Sequence, residues 1–123
     1  MARAARPAVI LVVEDDALLR MAAVDLVEEG GFIAVEARDA DEAVAILEVR
    51  GDIRIVFTDI DMPGSMDGMK LAACVRDRWP PIRIIVVSGH RKPTMSDLPE
   101  GSRFFHKPYS AGAVLAMMRE FAA

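Results

Sequence analysis

Ile53-Arg54-Ile55-Val56-Phe57-Thr58-Asp59 decides how this chain reads: an apolar, β-branched run that ends in an acid, followed at once by Ile60-Asp61-Met62-Pro63-Gly64. β-Branched and aromatic residues fit a strand, and a Pro-Gly pair lets neither strand nor helix continue. Asp59 is therefore expected at the tip of a buried strand. A second run, Ile10-Leu11-Val12-Val13, ends in Glu14-Asp15-Asp16. If the two strands lie side by side and parallel, their acidic tips converge at one end of a sheet.

Outward from these runs, strand-like and helical patterns alternate, which predicts a parallel sheet covered by helices. Strands are expected at Ala8 to Val13, Phe32 to Ala37, Ile53 to Thr58, Ile82 to Ser88 and Arg103 to His106. The first helix is capped by Asp16, carries Leu19, Ala23, Leu26 and Val27 on its buried stripe, and stops at Gly30-Gly31. Asp39 caps the second, with Glu42 three positions on as a capping box requires. Ala43, Ile46 and Leu47 supply its inner face, and Gly51 ends it. Asp67 or Ser65 caps a third helix that buries Leu71, Ala72, Val75 and Trp79 and ends at Pro80-Pro81. The last helix spans Tyr109 to Phe121. Pro93, Pro99 and Gly101 leave only Thr94 to Leu98 for a helix between Ser88 and Arg103, so a shortened helix or a loop is expected there.

Bulk properties narrow the function. The 123 residues suit one domain with one core, and 53% of them are apolar. A net charge of −4 argues against direct nucleic-acid binding, which needs a basic face. Cys74 is the only cysteine, which excludes an internal disulfide and a multi-cysteine zinc site. The start of the chain imitates a signal peptide, but its apolar part is short and Glu14-Asp15-Asp16 stand where cleavage would need small residues. No run is long enough to span a membrane, and a cytoplasmic location is expected.

Ligands of open α/β sheets bind beyond the carboxyl ends of the strands. Glu14, Asp15, Asp59, Ser88 with Gly89, and Lys107 are expected there. Two carboxylates ~4 Å apart repel by about 4 kcal/mol at an effective dielectric of ~20. A divalent cation removes that repulsion, and an all-oxygen set suits Mg²⁺. Lys107 neutralises a second side of a phosphoryl group, Ser88 offers a hydroxyl, and Gly89 leaves room. Nucleophile, metal, lysine and hydroxyl together describe phosphoryl transfer, with Asp59 becoming an acyl phosphate. His90 and His106 are not at metal-ligand spacing.

Glu14-Asp15, then Asp59 with Met62-Pro63 and Asp67-Gly68, then Ser88-Gly89, then Lys107-Pro108, each at a strand end and in this order, resemble the receiver domain of two-component response regulators (CheY-like). The resemblance covers nearly the whole chain. It implies a flavodoxin-like, doubly wound, five-stranded parallel sheet of order 2-1-3-4-5 with helices on both faces and the fourth helix shortened or lost. The domain would occupy residues 8–123 behind a tail of residues 1–7. Asp59 would be the phosphoacceptor and Asp15 the main Mg²⁺ ligand, with Glu14 acting through water and Asp59 and the Asp61 backbone carbonyl also ligating. Ser88 and Lys107 would contact the phosphoryl oxygens, and Phe104 would be the aromatic switch residue that follows Ser88.

Function by resemblance is a stand-alone switch that catalyses its own phosphorylation and slow hydrolysis, and is not an enzyme on an external substrate. The partners implied are a histidine kinase or phosphotransfer protein and an unknown downstream protein, without direct contact to nucleic acid or membrane; homodimerisation is left open. Three departures from the family pattern stand out: a turn from Met62 to Gly68 that is one residue longer than usual, the short fourth helix, and the extra acid Asp61. Alternatives are a phosphatase resembling the haloacid dehalogenase superfamily, with Asp59-Ile60-Asp61 as its Asp-x-Asp, a degenerate receiver that binds a partner without phosphorylation, and a phosphate sink or relay.

Overall fold

A computed structural model describes residues 7–62, 66–89 and 98–123. Among them run β1 (Val9–Val13), α1 (Ala17–Glu29), β2 (Ile33–Ala37), α2 (Ala40–Val49), β3 (Ile53–Asp59), α3 (Gly68–Arg78), β4 (Arg83–Ser88), β5 (Arg103–His106) and α4 (Ala111–Ala122). All strand pairs are parallel and the sheet order is β2-β1-β3-β4-β5, as expected. The Pro63-Gly64 turn, the Ser65 cap and the shortened helix expected at Thr94 to Leu98, apart from Leu98 itself, lie outside the described residues.

Two apolar layers hold the sheet. Val9, Leu11 and Val13 of β1 pack with Ala43 and Leu47 of α2 and Leu71, Ala72 and Val75 of α3. Ile10 and Val12 face the other way, against Ala23, Leu26 and Val27 of α1 and Val114, Met118 and Phe121 of α4. Successive side chains point to opposite faces, so a strand buried on both sides must be apolar throughout. Each fully buried aliphatic side chain contributes on the order of 2 kcal/mol.

One irregularity sets the aim of β3. Val9 pairs with Ile53 but Ile10 pairs with Ile55, which leaves Arg54 as an extra, exposed residue. Ile53 therefore shares a face with Val56, while Ile55 and Phe57 lie on the opposite one. A bulge of this kind reverses the parity of everything after it, including Asp59.

Helix ends follow their caps. Asp16 accepts the amides of Leu18 and Leu19, Asp39 that of Glu42 at 2.8 Å, and Asp67 that of Lys70 at 3.0 Å. Glu42 returns its bond to the amide of Arg38, one residue earlier than a strict capping box. Gly31, at φ +88°, closes α1 while Phe32 N–H reaches the Val27 carbonyl. Two expectations are corrected. The last helix begins at Ala111, not Tyr109, because Ser110 takes the cap by accepting the Ala113 amide. Leu19 is 49% exposed rather than on the buried stripe, since Ala22 and Ala23 beside it are too small to close the space under α1.

Candidate functional site

β1, β3, β4 and β5 are neighbours, so their carboxyl ends form a row. The ladder continues one residue past the strands: Glu14 N–H bonds the Ala37 carbonyl, Ile60 N–H that of Val87, and Lys107 N–H that of Ser88. These bonds fix the tips where the expected site residues stand. Carboxylate oxygens of Glu14, Asp15 and Asp59 lie within 4.8 Å of one another. Glu14 and Asp59 are buried, at 6% and 5% exposure, whereas Asp15 is exposed. Lys107 Nζ sits 2.7 Å from Asp59 Oδ2 and 3.3 Å from Glu14 Oε1. Asp59 Oδ1 accepts the Asp61 amide at 2.9 Å. Both oxygens of Asp59 are therefore held in fixed directions.

Ser88 is fully buried, and its hydroxyl donates to Asp61 Oδ2 at 2.6 Å. Phe104 is half-buried on the α2/α3 face and meets His106 edge to face, with ring centres 6.5 Å apart. Phe104 pairs with Val86, and His106 with Ser88, so Phe104 lies on the face to which Ser88 belongs. On the α1/α4 side a cavity of about 420 Å³ opens next to Asp59 and Lys107, lined by Val12, Leu19, Ala22, Phe57, Val87 and Tyr109 among others.

The charges perturb each other. Burial, the hydrogen bond with Asp15 and the charge of Asp59 outweigh the Asp16 amide and push the Glu14 carboxyl up to about 7 from 4.5. Burial works against the Lys107 ammonium, but its hydrogen bond to Asp59 and the charges of Asp59 and Glu14 prevail and hold it above its ordinary value. The folded chain thus keeps a proton on Glu14 that the unfolded chain gives up near 4.5. Stability from this group is complete below 4.5 and is lost as pH rises through about 7. In a chelator, melting temperature is expected to fall across that window, and Glu14→Gln to flatten the slope. An unchanged slope in the Gln variant would show that another group is responsible.

Three interactions at the site carried too little signal to be foreseen from the sequence, although Gly68 and Asp61 themselves are named there. Arg20 donates to the Glu14 carbonyl at 2.9 Å and pairs with Glu36 at 3.2 Å; its place one turn after Asp16 is the only hint. Gly68 N–H bonds the Ile60 carbonyl at 3.1 Å, which seats the start of α3 directly on the tip of β3. The Asp61 side chain reaches across 27 residues to Ser88.

The donor set consists of hard oxygens around a partly neutralised negative centre, and it fits a divalent cation. Among the described residues, no helix is long and apolar enough to cross a membrane. Residues 10–119 match the response regulator receiver domain family. The chain is 33% identical over 117 residues to the sensor kinase CckA of Brucella abortus, covering 92% of this chain and 12% of the relative. It is 33% identical over 122 residues to the transcriptional regulatory protein PdtaR of Mycobacterium tuberculosis, covering 98% and 53%. The chain thus spans from about an eighth to about half the length of these relatives. A response regulator receiver protein from Pseudomonas putida superposes with TM-score 0.81 at 29% identity, covering 95% of this chain and 99% of the other. Sheet order, the row of charged strand tips and the sequence match over nearly the full length agree, and this chain belongs to the response regulator receiver domain family.

Proposed function

We propose that this domain accepts a phosphoryl group on Asp59 and passes the resulting change in shape to a partner. One observation carries the reading: a buried carboxylate at a strand tip with an amide on one oxygen and an ammonium on the other. A nucleophile fixed in this way needs little reorganisation before it reacts. An Asp59 oxygen attacks phosphorus, the bond from phosphorus to the donor's imidazole nitrogen or acyl oxygen breaks, and the leaving group departs with that electron pair. Lys107 turns from its carboxylate partners toward the phosphoryl oxygens, and Ser88 supplies a hydroxyl to them. In a second step water attacks phosphorus, the bond to the Asp59 oxygen breaks and its electron pair returns to the carboxylate, so inorganic phosphate leaves and the domain has its own slow hydrolysis.

Glu14, Asp15, Asp59 and the Asp61 carbonyl would hold Mg²⁺, which when bound neutralises phosphoryl charge. Phe104, on the sheet face of Ser88, is the group that registers movement of the hydroxyl. The donor is a histidine kinase or phosphotransfer protein. Relatives that include a sensor kinase and a transcriptional regulatory protein support a signalling role. In a dehalogenase-type phosphatase Asp61 would serve as the general acid; here its carboxylate is engaged by Ser88, and the family match leaves that alternative without support.

Acetyl phosphate with Mg²⁺ is expected to add the mass of one phosphoryl group to the intact chain, and EDTA to prevent it. Sustained turnover of a phosphomonoester, or labelling indifferent to EDTA, would sink the reading.

A further inference from the structure

Asp61 and Ser88 form a contact that the phosphoacceptor chemistry does not require. We propose that Asp61 is a positioning residue that holds the Ser88 hydroxyl in the unphosphorylated state, so that an incoming phosphoryl group must win the hydroxyl from it. The proposal rests on the reading of Asp59 given above.

The geometry is specific. Ser88 Oγ donates to Asp61 Oδ2 at 2.6 Å, a separation typical of a hydroxyl bound to an ionised carboxylate. A serine hydroxyl has one proton to give. While Asp61 accepts it, that proton does not point at a group on Asp59. The latch is also mounted on the phosphoacceptor, because the Asp61 amide donates to Asp59 Oδ1 at 2.9 Å. Ser88 is wholly buried and Asp61 is half-buried, so water weakens the bond less than it would at an open surface.

Adding a phosphoryl group to Asp59 acts on this bond in two ways. New oxygens compete for the hydroxyl proton, and their charge repels the Asp61 carboxylate. A bond present in the free state and absent in the occupied state lowers the apparent affinity for the occupant by the factor that the bond is worth. For a hydrogen bond to a charged group that factor is about tenfold or more. An uncharged residue at position 61 without an acceptor would take away this one competitor for the hydroxyl proton from the start.

Calorimetric titration with beryllium fluoride in Mg²⁺ buffer, a noncovalent phosphoryl mimic, tests this through a double-mutant cycle. Asp61→Ala removes a repelling charge whichever residue stands at 88, and it removes the latch only where Ser88 is present. Affinity is expected to rise about tenfold more when Asp61→Ala is made in the wild type than when it is made in Ser88→Ala. Asp61→Asn keeps a weaker, neutral acceptor and should fall between. Ser88→Thr keeps a hydroxyl and should restore the coupling that Ser88→Ala abolishes. Equal gains in both backgrounds would overturn the latch while leaving Asp59 as the phosphoacceptor. A wild type that binds no beryllium fluoride would overturn the Asp59 reading and the latch with it. Asp61 lies outside the core, and melting curves of each variant check that the fold is intact.

Discussion

Asp59→Asn is expected to fold like the wild type and to accept no phosphoryl group, from acetyl phosphate or from a phosphohistidine protein. A carboxamide keeps the size of the side chain, and its oxygen can still accept the Asp61 amide now bonded to Oδ1. It has no anionic oxygen with which to attack phosphorus, so the loss is of the reaction itself rather than of affinity. Stability should move little because two effects oppose. The ion pair with Lys107 at 2.7 Å is lost, but so is the repulsion among Asp59, Glu14 and Asp15, whose oxygens lie within 4.8 Å. At ~4 Å and an effective dielectric of ~20 each such term is on the order of 4 kcal/mol, and they largely cancel. Lys107 retains Glu14 at 3.3 Å. With the Asp59 charge gone, the Glu14 carboxyl is expected to titrate lower than about 7, since that charge is among the causes of its rise. Intact mass after incubation with acetyl phosphate and Mg²⁺ reads the first outcome, and a melting curve the second. A fully labelled Asn variant would move the acceptor to another acid.

Gly68→Ala should do the opposite: damage the fold and the chemistry together. At an ordinary first-turn helix position alanine would stabilise by about 1 kcal/mol over glycine. Here a Cβ would collide with the Asp59 carbonyl oxygen and stand 2.7 Å from Ile60 Cα and 2.8 Å from the Asp59 carbonyl carbon. Those are backbone atoms of a buried strand end, which cannot swing aside as a side-chain tip can. The Gly68 amide bond to the Ile60 carbonyl, 3.1 Å, would have to lengthen. Overpacking of this kind costs about 1–3 kcal/mol or more and outweighs the helix preference. At the upper figure the net loss is about 2 kcal/mol, a sizeable part of a stability of about 5–15 kcal/mol. Because relief requires Asp59 to shift, labelling by acetyl phosphate should also slow in the folded fraction. Denaturant unfolding and labelling rate are the measurements. A Gly68→Ala variant as stable as wild type would mean that α3 does not sit on the tip of β3 as described.

Much of this was legible locally. Asp16, Asp39 and Asp67 cap the helices expected of them, since a cap depends on bonds no more than three residues long. The apolar runs became strands to within a residue or two because burial on both faces leaves β1, and β4 after the exposed Arg83 at its start, no polar position before their tips. The shortfalls are also physical. Periodicity puts Leu19 on the buried stripe because it registers hydrophobicity and not the smallness of Ala22 and Ala23, which lets a cavity form beside it. The same pattern puts Tyr109 in the last helix, but Ser110 competes for the cap, and Tyr109 stacks edge to face on Phe57 instead, with ring centres 5.9 Å apart.

By itself the sequence determined the order of the elements and the placing of acids at the carboxyl ends of strands, since propensity, capping and periodicity act within a few residues of chain. Only the tertiary structure decided that the bulge at Arg54 turns Asp59 toward α1, that Gly68 lies against the turn after Asp59, and that the Asp61 carboxylate accepts the Ser88 hydroxyl. Each of these depends on register between segments far apart in the chain. A one-residue slip would reverse every one of them without altering any local preference.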